Sequence, residues 1–220
     1  MVFNKQRWRW DKAESCKPKA VSKYKYIFCF LLSALGFWLF LWLIICSSSA
    51  NINTMNQTTI GKTYWAELES EVTATRKCLE RIPIDLFHYK PHEKSMELGY
   101  LTILVAEMPN WITTMIEQPE IDLAKGQFFK PATTEELVKR FDENIQGAKK
   151  ALTNVSDEAL MEAFSLKRNG QVLYTAPKLG QIISTINHLV HHRGQLTVYM
   201  RLNDIPVPSI YGPSADEQTW

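Results

Sequence analysis

Cysteine is scarce in this chain and never closely paired. Cys16, Cys29, Cys46 and Cys78 are the only four, and no CxxC spacing occurs. That pattern excludes a disulfide framework and a zinc-finger site. A strong charge of one sign is also missing. The net charge is +2, and much of the positive charge lies in the first 25 residues. No nucleic-acid partner is therefore expected. The motifs GxSxG, GxxxxGK and HExxH are absent, which removes the common hydrolase, nucleotide-binding and zincin readings. Cys78 has no base nearby in sequence and reads as packing rather than as a nucleophile. Strand signals are nearly absent as well. Gln171–Thr175 (QVLYT) is the lone candidate, pairing weakly across an Asn169-Gly170 turn.

Against these absences stands a globular composition, 45% hydrophobic and 22% charged, in a chain of 220 residues. That length holds one ordinary domain and something extra. The extra part is at the N-terminus. Ile27 to Cys46 reads IFCFLLSALGFWLFLWLIIC, twenty residues without a charge. As a helix it would span about 30 Å, the thickness of a bilayer core. Residues 1–26 are basic, with eight Lys and Arg between Lys5 and Lys25, and the next basic residue after the run is Lys62. The positive-inside rule then sets the N-terminus in the cytoplasm and the rest outside. The run is long for a signal-peptide core, although Ser48-Ser49-Ala50 has the small residues of a cleavage site. Ile45 precedes Cys46 where a lipobox needs a small residue.

Two readings of residues 1–54 stand side by side. In one, the chain is a single-pass membrane protein anchored by residues 27–46. In the other, translation starts at Met55, where MNQTTIGKTYWAELESE resembles the start of a soluble helical domain, and the protein is cytoplasmic. Residues 47–58 are small and polar and read as a linker.

Four long helical stretches follow. The first covers about Thr59–Arg81 and is stopped by Pro83. The second covers about Ser95–Glu117 and ends before Pro119. In it Leu98, Leu101, Leu104, Val105, Met108, Trp111, Ile112 and Met115 form one apolar stripe at helical spacing. Pro119–Ala132 is a long connection. Thr133 and Glu136 have capping-box spacing at the start of the third helix, which runs to about Asn154. Ser156–Phe164 reads as a short helix. The fourth long helix starts at Pro177 and runs to about Asn203. The proline-rich tail IPVPSIYGPSADE cannot be helical. The expected architecture is all-α, a four-helix bundle over residues 59–217.

The candidate site lies on the last helix, in NHLVHHRGQLTVYMR. Residues four apart share a helix face, so His188 and His192 can grip one metal ion, while His191 points away. Zinc, nickel, iron and copper all accept imidazole. The same spacing also occurs in histidines that are only polar surface or hydrogen-bonded interior groups. The pair falls beside the main apolar stripe of Ile182, Ile186, Leu189, Val190 and Met200. It lies on a polar, uncharged stripe of Gln181, Thr185, His188, His192, Gln195 and Tyr199. Arg193 falls within the apolar stripe and therefore requires a buried partner.

These motifs carry a resemblance. HxxxHHRGQLxVYxR with its tail IPVPSIYGPSADE resembles the last helix and C-terminus of the DinB/YfiT-like family of damage-inducible proteins. KPHEKSMELGYLTILVAEMPNWI resembles that family's second helix, and the likeness covers about residues 58–217. The resemblance implies a four-helix bundle holding a divalent metal, such as zinc, nickel, iron or manganese, on three histidines. His188 and His192 match two of them. The third, expected on the second helix in a pattern close to LAxHxAExP, is Leu104 here, so the three-histidine set is incomplete. Glu107, one turn along, is a candidate replacement or a solvated surface residue. His88 and His92 precede that helix, and His92, in a KPH segment, reads as structural rather than as a ligand. The resemblance further implies a small-molecule or thiol substrate, hydrolase or thiol-dependent transferase chemistry, and a homodimer. In such an enzyme Gln195 or Tyr199 would orient the substrate. A non-catalytic binding bundle, membrane-anchored or not, is the competing reading.

Overall fold

The structure is a computed structural model and describes residues 59–126 and 129–218. The basic segment 1–26, the expected span 27–46 and the linker 47–58 lie outside the described residues. Among the described residues no helix is long and apolar enough to cross a membrane.

Helix α1 (Ile60–Glu80) begins where the Thr59 side chain accepts from the Lys62 amide. This satisfies one of the donors a helix start leaves free. Helix α2 (Leu98–Glu117) begins three residues later than the expected Ser95. The reason is a preceding loop that takes its first amides: Leu98 N–H donates to Tyr89 O and Gly99 N–H to Phe87 O, at 2.8 and 2.9 Å. A β-carbon at Gly99 would come within 2.5 Å of the Phe87 ring, so this close approach requires glycine. Helix α3 (Thr134–Asn154) starts at the expected cap. Thr133 Oγ1 accepts from the Glu136 amide, and the Glu136 carboxylate reaches back to the Ala132 amide. A short helix α4 (Asp157–Met161) and the long α5 (Lys178–Leu202) complete the helical set.

Two expectations are corrected here. The short helix ends at Met161 and not at Phe164, because Ala163–Arg168 is a strand, β2. The domain is mostly helical but not all-α. Glu120–Asp122 (β1), β2 and Gln171–Pro177 (β3) form a small sheet in the order β1-β2-β3, the first pair parallel and the second antiparallel. The hairpin turns on Asn169 and Gly170, whose φ values of 51° and 78° suit an Asn-Gly turn. Asp122 secures it, accepting from the amides of Ala124, Asn169 and Gly170 at 2.8–3.0 Å.

The core is formed by the apolar faces of the four long helices. Leu68 and Leu79 of α1, Leu101, Met108 and Ile112 of α2, Phe141 and Leu152 of α3, and Ile182, Leu196 and Met200 of α5 are buried together. At roughly 1.5–3 kcal/mol per fully buried large apolar side chain, this set is the main favourable contribution to the fold. Arg193 breaks the apolar pattern of α5 and has the buried partner that its position requires. Its guanidinium lies 2.6 Å from the Glu71 carboxylate of α1 and donates to Thr75 Oγ1. The C-terminal tail closes over this pair. Tyr211 Oη accepts from Arg193 and donates to Glu71, while Glu217 pairs with Lys77 and Arg81.

Candidate metal-ligating histidine pair

The regular turn of α5 lays the two imidazoles one above the other, and their Nε2 atoms stand 2.7 Å apart. His192 is buried and His188 is exposed at the rim. Gln195, one turn on, anchors His192: its amide oxygen lies 2.7 Å from Nδ1. Burial pulls the His188 imidazole below its ordinary value, and the neighbouring His192 and His191 act in the same direction. A neutral imidazole keeps a lone pair on one nitrogen, the form a metal requires. His191 is exposed, as its place on the helix requires, with its ring edge-on to His192.

Helix α2 forms the opposing wall. Trp111 stands 6.2 Å from His188 between ring centres, and Thr185 Oγ1 reaches Met115 Sδ at 3.9 Å. Leu104, Trp111 and Met115 are half-buried on α2. The α2 neighbour of His188 is thus an aromatic ring. The remainder of the polar stripe is occupied internally. Gln181 donates to the carbonyls of Phe164 and Ala176, and Tyr199 Oη donates to Met96 O.

Glu107 does not turn toward the histidines. Its carboxylate is held by Arg140 of α3 at 2.6 Å and accepts from Asn144. It is therefore neither a free ligand nor a solvated surface group. The Glu107 carboxylate also raises the Arg140 guanidinium above its usual value. His92 accepts from the Lys94 amide in the loop before α2, a turn-forming contact in keeping with a structural role. Among the described residues no three His, Cys, Asp or Glu side chains are grouped to share a metal ion.

The donor set fits a divalent metal in part. A tetrahedral ion about 2.05 Å from each nitrogen wants the two roughly 3.3 Å apart. A small opening of the 2.7 Å pair reaches that separation. A third protein ligand is missing, so the residues do not fit a three-ligand catalytic centre. Trp111 was legible only as part of an apolar stripe. Nothing in its spacing singled it out as the residue beside His188.

Comparison with known proteins agrees with the fold. The sequence profile of the DinB family matches residues 55–219. YrdA of Bacillus subtilis, described as uncharacterized, is 46% identical over 41 residues, 19% of this chain and 25% of that protein. The chain thus spans about a quarter of that relative's length. A DinB-like protein from B. subtilis (YjoA) superimposes with a TM-score of 0.54 at 19% identity, over 71% of this chain and 99% of its own. One from Bacillus cereus gives 0.55 at 20%, over 70% and 99%. At such identities the likeness speaks for the fold alone. Nearly the whole of each neighbour is covered by the match. With three-quarters of its length matched by the family's profile and its bundle matched by the family's structures, the chain belongs to the DinB family.

Proposed function

We propose that this bundle is a binding member of the DinB family that docks a divalent metal ion on His188 and His192 and does not catalyse a reaction through it. The observation carrying this reading is the pair of Nε2 atoms at 2.7 Å with no third His, Cys, Asp or Glu grouped with them among the described residues. Zinc, nickel, iron or manganese would be held by two imidazoles, with solvent or an exogenous small molecule completing the coordination. Bound there, the ion would supply a Lewis-acidic point. The protein's own part is to present two imidazoles from one turn of α5, with the Trp111 ring beside His188. A hydrolase or thiol-dependent transferase would need a third protein ligand, and Glu107, the nearest acid on α2, is committed to Arg140.

The test is dialysis of the bundle, residues 55–220, against zinc, nickel or manganese, followed by elemental analysis beside His192→Ala. The expected result is metal that washes out readily from the parent and is absent from the variant. Equal metal in both, or none in either with the fold intact, removes this reading. Whether residues 27–46 anchor the bundle to a membrane is a separate expectation, tested by N-terminal sequencing and fractionation. A first residue at Met55 would remove the anchor.

A further inference from the structure

A histidine that ligates through Nε2 must carry its proton on Nδ1, and free imidazole in water has no strong reason to choose that form. The side chain that accepts from the other nitrogen makes the choice. In this chain the acceptor is identifiable. The Gln195 Oε1 atom lies 2.7 Å from His192 Nδ1. An amide oxygen has no hydrogen to give, so Nδ1 must be the donor. The remaining nitrogen, Nε2, is then a bare lone pair, 2.7 Å from His188 Nε2. His192 is buried, so water does not readily replace Gln195 as the acceptor. Gln195 is three residues along the same helix, so a single turn of α5 contains both the imidazole and its anchor. His188 has no such anchor among the described contacts and stands at the exposed rim.

We propose that Gln195 is the positioning residue of the site, fixing His192 as its Nδ1–H tautomer with the Nε2 lone pair aimed at the cleft. The assignment makes the two imidazoles unequal. His192 is the preset member of the pair. His188, whose Nε2–H donates to His192 in the metal-free protein, must change tautomer to take up an ion. The significance of the tautomer for metal rests on the proposed metal-docking reading, while the tautomer itself does not.

The experiment is a long-range nitrogen–proton correlation spectrum of the metal-free, full-length chain labelled with 15N histidine, with His188→Asn to assist assignment. The expected spectrum has a protonated Nδ1 and an unprotonated Nε2 at His192. In Gln195→Leu this preference should disappear, and in Gln195→Glu, which still accepts, it should persist. Zinc titration of the same three proteins supplies the second readout. The affinity should fall about tenfold in Gln195→Leu and be retained in Gln195→Glu. A wild-type His192 protonated on Nε2, or a Gln195→Leu protein that keeps the Nδ1–H form, overturns the assignment. An Nδ1–H tautomer lost in Gln195→Leu but no zinc binding in any protein upholds the role of Gln195 and overturns the metal reading alone.

Discussion

The Arg193 guanidinium and the Glu71 carboxylate, 122 positions apart in sequence, meet at 2.6 Å inside the bundle, their side chains 1% and 6% exposed. The pair joins α5 to α1, and Tyr211 bonds to both partners from the C-terminal tail. Removing one member leaves the other charge buried without compensation. Glu71→Ala should therefore cost about 3–5 kcal/mol of stability in urea unfolding. Tyr211→Phe keeps the ring and loses the bridge, and should cost about 1 kcal/mol, since its surroundings are partly solvated. A Glu71→Ala protein as stable as the parent would show that the pair contributes nothing net.

Burial pushes the Cys78 thiol up to about 11, with Arg193 and Arg81 pulling only weakly against it. A chain begun at Met55 has Cys78 as its single cysteine. At pH 8 that thiol should react with a disulfide reagent no faster than the bundle opens, and guanidinium should restore the rate of an ordinary thiol. The linkage has a definite sign. The raised folded value contributes stability that is full below the unfolded thiol's value, near 9, and is lost as pH rises toward 11. Cys78→Ser should flatten that alkaline loss.

Among the described residues, the buried core cluster runs from Trp65 to Ile205. A chain begun at Met55 should be strongly helical by circular dichroism and unfold in one cooperative step. A collapsed, non-cooperative protein would contradict the fold described here.

The four long helices were legible because each carries an apolar stripe at a 3.6-residue period and a clear start or stop, such as the Thr133 cap or the proline after α2. The sheet was not. β1 has three residues beside Pro119, and β2 ends in the charged pair Lys167 and Arg168, so neither shows the alternation that marks a buried strand. One carboxylate ties its turn together. Asp122 is held below the usual carboxylate range, chiefly by the Ala124 amide and then by the Gly170 and Asn169 amides. Asp122→Ala should speed hydrogen exchange at Asn169 and Gly170 and leave the helices protected.

The site was legible in the same uneven way. The spacing of His188 and His192 placed them on one face, and Arg193 in an apolar stripe required a buried partner. Sequence could not name Glu71 as that partner, nor show Glu107 turned to Arg140, because both contacts join helices far apart in the chain.

The most direct test is zinc affinity, measured by titration calorimetry, in wild type, His188→Ala and Leu104→His. The account predicts weak binding in wild type, none in His188→Ala, and an affinity about 100-fold or more higher in Leu104→His, where a third imidazole faces the pair. Wild-type binding already as tight as in Leu104→His, or zinc bound by none of the three, would contradict it.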